Sequence, residues 1–90
     1  MESARCKAFM YAADTGSFTK AAERLNYTPS GVSQLVGALE NETGLTLLRR
    51  TRKGVTLTPD GEILLPAVRE FLEKENRIYE LAAEVKGLLV

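Results

Sequence analysis

Between Thr28 and Gly37 the chain reads TPSGVSQLVG. If this stretch is helical, one face carries Pro29, Ser30, Gly31, Ser33, Gln34 and Gly37, all small or uncharged. Such groups exchange neutral hydrogen bonds at close range. A plain amphipathic helix of a small domain would more often show Lys and Glu there. Short polar groups at a helix start suit entry into a DNA major groove, where backbone N–H groups also face phosphate. Gln34 has the amide that can pair with N6 and N7 of adenine. Ser30 and Ser33 can meet base edges, and Pro29 can touch a thymine methyl. A second cluster follows: Arg49, Arg50, Arg52 and Lys53 fall within residues 43–58, which hold no acid.

The rest of the inventory excludes other chemistry. There is no histidine and a single cysteine, Cys6. That leaves no catalytic nucleophile of the Ser-His or Cys-His kind, no zinc site and no internal disulfide. Cys6 falls on the apolar side of a helix and reads as a buried structural thiol. Neither enzyme activity, metal nor cofactor is expected. The formal net charge is zero, but it is unevenly spread. Residues 1–42 hold four basic and five acidic side chains, and residues 59–90 hold four and seven. A compact basic patch between them makes an electrostatic footprint despite the neutral total. No apolar run reaches the length of a membrane span and no signal peptide is evident, so a soluble, cytoplasmic protein is expected.

The elements that must position these groups are legible from their ends. Residues 3–14 read as a scaffold helix with Cys6, Phe9, Met10, Ala12 and Ala13 inward, stopped by Gly16. Ser17 is a natural N-cap for a second helix whose inner face carries Phe18, Ala21, Ala22 and Leu25. Its two alanines allow a close helix crossing, and Asn26-Tyr27 breaks the pattern. Thr28-Pro29 opens a third helix with Val32, Leu35, Val36 and Leu39 as its buried stripe and Gly44 as its stop. The second and third helices form a helix-turn-helix.

Residues 47–50 and 55–58 read as two strands joined by Thr51-Arg52-Lys53-Gly54. This hairpin is a wing with a cationic tip, and Arg52 or Lys53 could enter a minor groove. The plainer reading is a solvated tip. Arg50 is expected on a phosphate or on an acidic residue of the core.

Thr58-Pro59-Asp60 starts a long last helix, in which Pro66 predicts a bend. Leu64, Val68, Phe71, Ile78, Ala82, Val85 and Leu89 repeat in heptad steps interrupted by Glu75. Such a seam fits a dimer coiled coil, with a linker packed on another domain as the rival. The fold class is therefore mainly α: a winged helix-turn-helix, with a three-helix core and a β-hairpin wing, followed by a long dimerisation or linker helix. The expected division is a DNA-binding domain over 1–58 and a linker helix over 59–90.

Gly16-Ser17-Phe18, Ala21-Ala22, Leu25, Val32-Ser33, Leu39-Glu40, Gly44, Leu47-Leu48, Arg50 and Leu57-Thr58 with Gly61 resemble the N-terminal DNA-binding domain of LysR-type transcriptional regulators. The resemblance covers roughly residues 4–66. Three positions depart from the usual pattern: Pro29-Ser30 replaces Gln-Pro, Leu48 a frequent Phe, and Lys53 a frequent Arg. The resemblance implies double-stranded DNA as partner, a homodimer with antiparallel last helices, and a tetramer in a longer chain. It further implies a small-molecule effector bound only by a C-terminal domain absent from these residues, so that the chain would be an N-terminal fragment. On this reading Pro29, Ser30, Ser33 and Gln34 meet bases, and Ser17, Thr19, Lys20, Thr28 and Arg50 meet the DNA backbone. Arg52 and Lys53 serve the minor groove. The alternative is a winged-helix protein-interaction or dimerisation module, since fold alone does not decide function.

Overall fold

The computed structural model describes residues 1–88. Leu89, the last residue of the expected seam, lies outside them. Six elements follow in order: α1 (Ser3–Thr15), α2 (Phe18–Leu25), α3 (Pro29–Thr43), β1 (Leu48–Thr51), β2 (Gly54–Leu57) and α4 (Pro59–Leu88).

Local signals set the helix ends. Ser17 Oγ accepts from Lys20 N at 3.1 Å, and Thr28 Oγ1 from Gly31 N at 3.0 Å, each relieving a first-turn donor. Gly16 and Gly44 end α1 and α3 with φ of 69° and 72°. Asn26 ends α2 at φ 59°, a left-handed position that asparagine tolerates.

α1, α2 and α3 close on one core. Phe9, Leu39, Leu47, Val32 and Cys6 are its largest fully buried side chains, with Ala8, Ala12, Ala21 and Ala22 at the crossings. Phe18, Leu25 and Leu35 are half-buried and pack against it.

The hairpin is antiparallel, with Leu48 opposite Leu57 and Thr51 opposite Gly54. The first strand starts one residue later than expected and the second ends one residue earlier. Leu47 explains the offset, because its side chain plugs the core and its backbone is already engaged. Its N–H donates to Glu40 Oε2 at 2.7 Å, and its carbonyl accepts from Thr58 N at 3.0 Å. The wing base is pinned to the α1–α2 turn, where Val55 N donates to Gly16 O at 3.0 Å. Gly54, at φ 133°, must be glycine there: a Cβ would lie 2.1 Å from Gly16 O.

Thr58 joins wing to α4. Its hydroxyl donates to Thr46 O at 2.6 Å and accepts from Gly61 N at 3.0 Å. α4 runs through Pro66 as a single helix, and the missing proline N–H leaves the Glu62 carbonyl without its helical donor. Leu65 and Val68 turn into the core and Leu72 packs against it. This corrects the expected seam. Val68 is 5% exposed and belongs to the chain's own interior, because α1 covers that side of α4. Leu64 is half-buried. Phe71, Ile78, Ala82 and Val85 are exposed, and every residue from 76 to 88 is exposed. α4 thus extends beyond the core, and the molecule measures 54 × 25 × 18 Å.

Candidate nucleic-acid interface

Thr28 orders the start of α3. Besides capping Gly31 N, its Oγ1 lies 3.4 Å from Ser30 Oγ. Gly31 has a reason within the chain, since a Cβ there would sit 3.1 Å from Thr28 Oγ1. Gly37 has none: nothing lies within 4 Å of where its Cβ would be. Pro29, Ser30 and Gln34 are exposed and Ser33 is half-buried, so the polar face of α3 is open to solvent. Thr19 and Lys20 are exposed on the first turn of α2. The oxygens of Ser17 and Thr28 already serve as caps, which leaves the Ser17 hydroxyl its hydrogen to give outward.

Arg50 departs from the expected acidic partner within the core. Its Nη2 donates to Ser33 Oγ, and its guanidinium lies 4.8 Å over the Phe18 ring. Among the described residues no acidic side chain of the core receives it. One wing residue thereby touches α2 and α3 together and fixes the basic wing beside the polar helix face. At the tip, Thr51 Oγ1 donates to Gly54 O at 3.1 Å and accepts from Lys53 N at 3.2 Å. Arg52 and Lys53 project from this ordered turn and are exposed.

The ion pairs lie away from the wing. Arg5 meets Glu42 at 2.6 Å, Arg69 meets Asp14 at 2.5 Å, and Arg77 reaches Glu80 at 3.2 Å. Among the described residues no ion pair engages Lys20, Arg49, Arg50, Arg52 or Lys53. The hydrogen bond from Arg69 holds the Asp14 carboxyl below its ordinary value, and that from Arg5 does the same for Glu42. Burial pushes the Cys6 thiol up, away from reactivity. The Arg50–Ser33 contact thus sets the basic wing beside the small polar side chains of α3, while the Arg5–Glu42 and Arg69–Asp14 pairs tie α1 to α3 and α4.

Tyr27, which in the sequence shows only as a break in the helical pattern, lies beside the start of α3. It is 48% exposed and walls a shallow depression with Thr28, Gly31, Gln34 and Leu35. An aromatic residue directly before the α3 cap is the signal in the sequence.

Residues 4–62 match the family described as bacterial regulatory helix-turn-helix protein, lysR family. The chain belongs to that family. It is 41% identical over 83 residues to the uncharacterized HTH-type transcriptional regulator YvbU of Bacillus subtilis, covering 91% of this chain and 28% of that protein. It is 42% identical over 94 residues to the HTH-type transcriptional regulator AlsR of the same organism, covering 100% of this chain and 31% of AlsR. The chain therefore spans less than a third of these relatives. Among solved structures, a CbnR DBD–DNA complex superposes with a TM-score of 0.87 at 30% identity, covering 94% of this chain and 98% of that one. The winged helix-turn-helix architecture is thus that of LysR-type DNA-binding domains. No helix among the described residues is long and apolar enough to cross a membrane.

Proposed function

We propose that this chain is the DNA-binding part of a transcriptional regulator that recognises specific double-stranded sequences in the cytoplasm. The observation that carries the reading is the Arg50–Ser33 contact, which joins an unpaired basic wing to a solvent-open polar helix. The family membership and the neighbouring protein–DNA complex support it. α3 lies in the major groove, where Pro29, Ser30, Ser33 and Gln34 face base edges. Thr19, Lys20, Arg50 and the hydroxyls of Ser17 and Thr28 hold the backbone, and Arg52 and Lys53 reach the adjacent minor groove.

Residues 1–58 form the binding unit and 59–90 the linker. The distal face of α4 supports a homodimer. Ile78 and Val85 are exposed with no cover from their own chain, which a self-pairing helix would bury. Twofold symmetry then calls for a palindromic operator with half-sites about one helical turn, or a multiple of it, apart. A gel shift with random-sequence duplex at low and moderate salt tests the reading. Salt-sensitive retardation is expected, and no retardation at low salt would favour a protein-interaction module.

A further inference from the structure

Ser33 differs from the helical hydroxyls that bond within their own helix. Thr15 and Thr43 donate to carbonyls of their own helices, Tyr11 O at 2.7 Å and Leu39 O at 3.0 Å. Ser33 makes no such bond. Among the described residues its Oγ is engaged only by Arg50, as an acceptor. One lone pair is taken by a cationic donor, and the hydroxyl hydrogen is left without a partner. The positive guanidinium beside the oxygen repels a further incoming donor and turns the O–H dipole outward. Arg50 is itself held in place: its plane rests on Phe18 and no carboxylate among the described residues neutralises it.

We propose that Arg50 is a positioning residue that makes Ser33 an obligate hydrogen-bond donor toward DNA. Ser33 then selects acceptors, namely guanine N7 or O6, adenine N7, thymine O4 or a phosphate oxygen, and rejects the amino groups of adenine and cytosine. The assignment rests on the DNA-binding reading and adds a positioning role to the backbone contact proposed there for Arg50. It makes the wing a determinant of what the recognition helix reads, across 17 residues of sequence.

A double-mutant cycle tests it, using Ser33→Ala, Arg50→Met and the pair, with binding measured on selected sites and on random duplex. Methionine keeps an apolar cover on Phe18 while removing charge and donor. Arg50→Met should weaken binding about tenfold in the parent and distinctly less in the Ser33→Ala background. Base preference at the position facing Ser33 should relax in both single variants if the acceptor is a base. If the acceptor is a phosphate, all sequences should weaken alike with the coupling intact. Arg50→Lys restores charge as a point without the planar fork, so the salt slope should return while the coupling to Ser33 does not. Losses that simply multiply, with an Arg50→Met effect independent of Ser33, would overturn the proposal. If the parent chain bound no duplex at all, the failure would lie in the DNA-binding reading, since no cycle could then be closed. Thermal unfolding of each variant separates misfolding from lost positioning, and Arg50→Lys keeps the test open should Arg50→Met fail to fold.

Discussion

Gly37 and Arg52 are two residues of the exposed face whose substitution effects have opposite character. A glycine inside a helix costs about 0.5–1 kcal/mol relative to alanine, and open space surrounds the position where a Cβ would stand. Gly37→Ala should therefore raise the melting temperature by about 2–8 °C. An unchanged or lower melting temperature would mean that the helix there relies on something other than propensity. Arg52 stands at the ordered tip without an ion pair among the described residues. Arg52→Ala should weaken binding to every duplex alike and lower the salt slope by about one unit. An unaltered slope would keep the tip off the DNA. The caps at this scale were legible in the sequence, because Ser17, Thr28, Gly16 and Gly44 act within a few residues of themselves. The partner of Arg50 was not, since its hydroxyl lies 17 positions away on another element.

At the scale of elements, α1 is the frame on which both ends of the chain are hung. Its last turn carries Asp14, bound to Arg69 of α4 at 3.1 and 2.5 Å, and the following Gly16 carbonyl holds the wing. Asp14 has a lowered folded-state pKa, chiefly through the Arg69 hydrogen bond. A carboxylate depressed on folding adds stability above its unfolded value of about 3.9, and that stability is lost as pH falls through the folded value. Glu42, paired with Arg5, acts in the same direction. Asp14→Asn should thus reduce stability at neutral pH by about 0.2–1 kcal/mol, since both side chains remain partly in water, and the deficit should fade as pH falls through the folded value of Asp14. Chemical denaturation across that range reads this, and a deficit that persisted in acid would assign the effect to packing. The hairpin was visible as alternating β-branched residues, but its register was not. Leu47 could pass for a strand residue until the Glu40 carboxylate, seven positions back, is seen to take its N–H.

For the whole molecule, the decisive feature is the projection of α4 beyond the three-helix core. A heptad pattern reports apolar spacing but not whose surface meets it, so Val68 lies in the intramolecular core beside Leu65 while Ile78, Ala82 and Val85 beyond it are exposed. Ile78 is 65% exposed, so Ile78→Glu should leave the fold of one chain intact. On the dimer reading it should shift sedimentation toward the monomer and weaken binding to palindromic sites more than to single half-sites. A variant that still sediments with the parent as a dimer would place the contact elsewhere.

The claim that the polar face of α3 reads bases while a self-paired α4 sets the spacing meets its most direct test in selection of preferred duplexes from a random library, run in parallel with Gln34→Ala. The expected outcome is an inverted repeat with half-sites about one helical turn or a multiple apart, whose preference flattens at one or two symmetric positions in the variant. Recovery of no enriched sequence, or of an unsymmetrical one indifferent to Gln34, would contradict it.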